Sequence, residues 1–135
     1  MRNKYGNKKV VVDNIKFDSR AEATYYEQLK WLRQAKQIKS FKCQPKFLLQ
    51  EAFKKNGETV RKIEYIADFE IHNLDGSIEI VDVKGASPTE AFNIKRKLFE
   101  KKYTHKLSVV TFSQKYGGWI EYDKLKKLKR INNKG

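Results

Sequence analysis

The chain has 135 residues, 39% of them hydrophobic and 13% aromatic, with 30 Lys and Arg against 16 Asp and Glu for a net charge of +14. That length suits one domain, and the apolar content excludes a wholly disordered chain. A single cysteine, Cys43, beside only His72 and His105 excludes an intramolecular disulfide and a zinc finger, while the lack of a signal-peptide stretch, or of any apolar run near the roughly 18 residues of a membrane span, predicts a cytoplasmic protein without membrane contact.

The N-terminal residues 1–16 form a basic arm, with Arg2, Lys4, Lys8, Lys9 and Lys16 against Asp13. Within and beyond it, Val10 to Phe17 reads as two short strands around Asp13-Asn14, residues that tolerate the positive φ of a tight turn. Ser19 then stands as an N-cap with Glu22 at capping-box spacing, and helix formers continue to about Gln34, with Tyr25, Tyr26, Leu29 and Leu32 on one stripe. Glu22 falls inside that stripe. Phe41 to Leu49, broken by Pro45, predicts an edge strand, and Lys54-Lys55-Asn56-Gly57 a turn. Glu64 to Ile71 and Ser77 to Lys84 predict an antiparallel hairpin joined by Asn73-Leu74-Asp75-Gly76.

Ser87-Pro88-Thr89-Glu90 combines an N-cap, a proline at the first helical position and a capping-box glutamate, opening a helix to about Lys102. On it Lys95 lies near the middle of the arc of Ile94, Leu98, Ala91, Phe99 and Phe92, and Lys97 lies off it. Leu107 to Phe112 is a β-branched strand, Gly117-Gly118 a break, and Tyr122 to Ile131 a basic helix with Leu125, Leu128 and Ile131 on one face. Residues 122–135 carry six bases against Asp123, so most of the excess charge flanks a nearly balanced body. Two such arms suit a polyanion, whose phosphates Lys4, Lys8, Lys9, Lys126, Lys127, Lys129 and Arg130 would neutralise. Solvated tails are the plain alternative. The element order predicts one mixed α/β domain over residues 1–135.

Chemistry enters at the hairpin. Asp82 and Lys84 are two apart on a strand and share a face with Ile78 and Ile80, where a charge needs a partner or an ion. With the turn near Asp75-Gly76, Asp68 lies opposite or diagonal to Asp82, roughly 5–7 Å away. Two carboxylates can then share one hard cation, and Mg²⁺, which keeps several of its waters, suits such a site. Metal and lysine together fit phosphodiester hydrolysis, the ion acidifying a water and Lys84 orienting it. A surface ion pair is the ordinary explanation of D-x-K, capping that of Glu22, and snorkelling that of Lys95.

Glu22, Asp68 and Asp82-Val83-Lys84, in that order on a helix and a hairpin followed by a helix and a strand, resemble the PD-(D/E)xK nuclease superfamily. Lys4-Tyr5-Gly6-Asn7-Lys8-Lys9, Ile15 to Ala23, Val81 to Gly85 and Lys95 to Phe99 look more closely like a small phage and prophage family carried as a domain of unknown function. This likeness covers nearly the whole chain. It implies a restriction-endonuclease-like αβββαβ core, a mixed sheet flanked by helices. It also implies Mg²⁺, with Mn²⁺ as a substitute, on Asp68, Asp82, the Val83 carbonyl and, directly or through water, Glu22. Lys84 would be catalytic. Apart from the resemblance, Lys95 on its inward arc is placed to reach a phosphate at the edge of the site, and Lys97 is a further expected DNA contact. Ala67 stands where the superfamily has its eponymous proline.

The resemblance points to a homodimeric endodeoxyribonuclease for branched DNA, similar to Holliday-junction resolvases and working with phage replication or recombination proteins. A DNA- or partner-binding protein that has lost turnover, and an RNA nuclease, are the competing readings. No helix-turn-helix or other base-reading module is present in the sequence, so backbone and shape recognition are expected. Tyr5, Tyr116 and Trp119 are available to stack on bases, with core packing the ordinary role of Trp119.

Overall fold

The computed structural model describes residues 9–134. Strands β1 (Val10–Val12) and β2 (Ile15–Phe17) pair around Asp13 and Asn14, both at positive φ, as the turn chemistry anticipates. Helix α1 (Arg20–Gln34) follows directly, with the Ser19 hydroxyl accepting the Glu22 N–H at 3.1 Å. Next come β3 (Ser40–Cys43), β4 (Lys46–Gln50), β5 (Phe53–Lys55), β6 (Glu58–Val60), β7 (Ile63–Ile66), β8 (Phe69–His72) and β9 (Ile78–Val83). The chain ends with α2 (Glu90–Lys102), β10 (Lys106–Ser113), β11 (Gly118–Glu121) and α3 (Tyr122–Lys134).

Five strands form an open mixed sheet in the order β11-β10-β9-β8-β3, with β9 and β10 parallel and the other neighbours antiparallel. Helix, three antiparallel strands, helix and a parallel fourth strand is the αβββαβ order. One core packs Ala23, Tyr26 and Leu29 of α1 against Phe69, Val81 and Val83, and a second packs Phe92 and Phe99 of α2 against Ile80, Leu107 and Val109. The central strand β9 is therefore covered on both faces, which is why Ile-Glu-Ile-Val-Asp-Val lacks a clean polar side. Among the described residues no helix is long and apolar enough to cross a membrane.

Four local expectations are corrected. The single strand over Glu64 to Ile71 is two, jointed at Ala67-Asp68, because β7 pairs with β4 while β8 pairs with β3 and β9. The run Phe41 to Leu49 is divided in the same way at Gln44-Pro45, only its first half being an edge of the main sheet. The second helix is capped by Thr89, whose hydroxyl accepts the Phe92 N–H at 3.1 Å, and not by Ser87, which accepts a hydrogen bond from the Tyr122 hydroxyl. On that helix Phe92 and Phe99 are buried whereas Ala91, Ile94 and Leu98 are exposed, so the buried stripe is turned toward Arg96 and Lys95 sits at its flank.

Two further features were not foreseen. β5 and β6 form an exposed hairpin around the Asn56-Gly57 turn, and Gly117-Gly118 leads into β11 instead of only ending β10. On α3, Leu125 is buried but Ile131 is 65% exposed, so the apolar face outruns the body.

Candidate active site

Asp82 stands near the end of β9, on the Ile80 side, and is only 4% exposed. A carboxylate this deep needs partners. It has two: the Lys84 ammonium lies 2.9 Å from Oδ1, and the Tyr65 hydroxyl donates to Oδ2 at 2.5 Å. Lys84 follows the last residue of β9, its N–H donating to the Val110 carbonyl at 2.8 Å. Its ammonium sits over the Phe92 ring, 4.0 Å from the centroid, so a cation–π contact and an ion pair together fix its direction. Asp82 and Lys84 are thus a largely buried pair at the end of a central strand, and the surface alternative does not describe them.

Asp68 reaches the same point from the β7–β8 joint. Asp68 stands just before the Phe69–Val81 pair, its N–H donating to the Val81 carbonyl at 3.1 Å and its Oδ2 accepting the Val83 N–H at 2.6 Å, so it flanks Asp82 from both neighbours in the chain. Burial, then repulsion from Asp82 and Glu22, pushes the Asp68 pKa up to about 8 against the opposing influence of the Val83 N–H and Lys84. Glu22, in the first turn of α1, accepts from the Asp18 N–H at 3.3 Å and the Ser19 hydroxyl at 3.4 Å. Burial raises its pKa, with the Asp18 and Asp82 charges adding to the rise. Glu22 is therefore both a cap and a third carboxylate in the field of the aspartates.

Among the described residues no group of three or more His, Cys, Asp and Glu side chains forms a ready-made metal cage. The donors at this strand end are hard oxygens, Asp68 and Asp82, each in the electrostatic field of Glu22, with Val83 tied to Asp68 by its N–H. Two carboxylates completed by water and phosphate are what Mg²⁺ takes, and a carboxyl that holds a proton near neutrality is one a divalent ion can discharge. The residues fit Mg²⁺.

Tyr65 is the contact to the acid pair that sequence reasoning missed. Burial, then the Asp82 charge, raises its pKa, so it is a standing hydrogen-bond donor to that carboxylate. A signal existed: Ile63, Tyr65 and Ala67 alternate with Glu64 and Ile66, and a tyrosine on an inward stripe needs a partner for its hydroxyl. Lys95 lies one turn beyond Phe92, half-buried in a hollow against β7 with Ile63, Glu64 and Leu98, and makes no contact with the carboxylates. Lys9, Lys97, Lys126, Lys127, Lys129 and Arg130 are exposed. Lys4, Lys8 and Tyr5 lie outside the described residues. Tyr116 accepts a hydrogen bond from Asn132 of α3, and Trp119 packs edge-on against Tyr25.

The family described as Protein of unknown function (DUF1064) matches residues 2–118. The chain belongs to this family. The DUF1064 span contains Glu22, Asp68, Asp82 and Lys84 and stops short of α3, so it takes in the acid site and leaves out the C-terminal arm. No curated protein and no solved structure matches the chain.

Proposed function

We propose that this DUF1064 chain is a Mg²⁺-dependent endodeoxyribonuclease of the PD-(D/E)xK kind, acting on branched DNA. The observation that carries the reading is the meeting of Asp68, Asp82 and Lys84, with Glu22 in their field, at one end of a central strand in a chain of net charge +14. The αβββαβ order of elements supports it, with Ala67 in place of the proline.

Asp68 and Asp82 would hold the ion, with the Val83 carbonyl and Glu22 completing the protein ligands. Bound there, Mg²⁺ or Mn²⁺ supplies Lewis-acid polarisation of the phosphate and acidifies a water. Lys84 orients the attacking water and offsets charge that develops on the phosphorane. Tyr65 keeps Asp82 aimed by holding its second oxygen. The basic arms grip backbone without reading sequence, and a homodimer would bring two sites to the two strands of a junction. One observation favours a second reading, a DNA-binding module without turnover: both Asp82 oxygens are already engaged, by Lys84 and Tyr65.

The test is a labelled four-way junction beside a matched linear duplex, in Mg²⁺ or EDTA, with wild type, Asp82→Ala and Lys84→Ala. Junction cutting should need Mg²⁺ and fall by about a hundredfold or more in each variant. Equal cutting of the linear duplex would leave a general nuclease, and binding without cutting in Mg²⁺ or Mn²⁺ would leave the binding module.

A further inference from the structure

On the α1 side of the sheet, at the end of the parallel strands β9 and β10 where β9 carries Asp82, lies an apolar hollow of about 350 Å³ that the hydrolytic machinery does not use. Its walls are Arg20, Ala21 and Thr24 of α1, Phe112 of β10 and Trp119 of β11. Both walls belong to elements that also reach the site, but they face away from it. Arg20 precedes Glu22 by two residues, nearly opposite around α1, and Phe112 follows by two residues Val110, whose carbonyl accepts the Lys84 N–H and whose side chain packs on the α1 side. At roughly 3.3 Å per strand residue, Phe112 stands about 7 Å along β10 from that hydrogen bond.

Phe112 is 58% exposed although Leu107 to Val110 before it are buried without a break. It is held edge-on to Trp119, centroids 5.4 Å and planes 76° apart, and Trp119 is braced edge-on against Tyr25 at 5.0 Å. An open aromatic ring is thus kept in one attitude by two rings behind it. The Arg20 guanidinium forms no ion pair among the described residues, whose bridging cations are others.

We propose that the hollow is a stacking site for one unpaired nucleobase of a DNA strand that passes round this end of the sheet to the carboxylates, the base lying on Phe112 with Arg20 beside it. The proposal rests on the DNA-cleaving reading for the identity of that strand. Aromatic faces accept every base, and a guanidinium adds attraction to the π-system or the adjoining phosphate. A base inside a duplex has its faces covered, so only a base at a branch or an end reaches the ring. Preference for branched DNA then originates here. A second copy of the chain is a poorer occupant: five side chains fall well short of the roughly 800 Å² per partner of a stable interface, and the copy would bring a charge of +14 toward Arg20.

The experiment places 2-aminopurine at the unpaired position of a branched DNA and reads its fluorescence on binding in EDTA, where no cutting occurs. Wild type should quench it, Phe112→Tyr should retain the quench, and Phe112→Ala and Phe112→Leu should lose it with branched-DNA affinity down about tenfold. Affinity for a fully paired duplex should change less than about twofold. A Phe112→Leu protein indistinguishable from wild type would overturn stacking, as would quenching that survives in Phe112→Ala. Sedimentation showing a dimer that Phe112→Ala dissociates, with the quench intact, would make the hollow an interface between copies instead. Because the signal needs no divalent ion, quenching without Mg²⁺-dependent cleavage would sink the nuclease reading alone, and cleavage without quenching would sink the stacking site alone.

Discussion

Asp68 holds a proton near neutrality that its unfolded counterpart has already lost, because burial and two neighbouring carboxyls raise its pKa from 3.8 to about 8. A raised folded-state pKa means stability that is full below the unfolded value and drains away as pH climbs through the folded one. In EDTA the urea midpoint should therefore fall between pH 5 and pH 9, and Asp68→Asn, uncharged and of the same shape, should flatten that slope. A wild-type slope equal to that of Asp68→Asn would refute the buried proton. Tyr65→Phe poses the complementary question. It strips one of two donors from a carboxylate that has almost no access to water, at a cost of about 1–3 kcal/mol in urea unfolding. Cleavage should fall alongside, since Asp82 is then no longer aimed by the tyrosine hydroxyl.

The element that makes the site is the β7–β8 joint. Ala67 is fully buried, and its N–H donates to the Pro45 carbonyl at 3.1 Å while Asp68 N–H donates to Val81. The main chain thus hands over from one sheet to the other within two residues, and Asp68 emerges at the seam. Proline has no N–H to give, which is a physical reason for alanine here. Ala67→Pro should lower stability by about 1–3 kcal/mol through the orphaned carbonyl, measured by thermal or urea denaturation; an unchanged midpoint would show that the bond is dispensable. At the start of α1, Ser19→Ala removes the cap that accepts the Glu22 N–H. A loss of about 1 kcal/mol is expected, together with weaker cleavage as Glu22 loses a partner.

At the scale of the whole molecule, charge and fold are separate devices. Lys126, Lys127, Lys129 and Arg130 are exposed on α3 while Leu125 is buried beneath them, so the helix docks by one face and offers the other. Replacing all four by Gln should weaken junction and linear DNA alike. The slope of log affinity against log salt should fall by up to about 0.9 for each phosphate that is no longer neutralised. A salt slope that does not move would take α3 off the DNA. The fold should survive the change, since surface charges far from any partner contribute little to stability.

Much of this organisation was legible in the chain alone. Asp13-Asn14 and Asn56-Gly57 mark their turns because few residues accept positive φ, the Ser19–Glu22 spacing marks its cap, and the Asp75-Gly76 turn sets the register that pairs Phe69 with Val81 and so brings Asp68 to the end of β9. Local chemistry decides such features, so sequence suffices for them. Which strand pairs with which, and therefore the break at Ala67-Asp68, depends on residues far apart in the chain. So do the burial that raises the Asp68 pKa, the Tyr65 hydroxyl on Asp82 and the open Phe112 ring beside Arg20. Periodicity in one element records its own faces but not what meets them, and only the assembled sheet, with α1 on one side and α2 on the other, decided that.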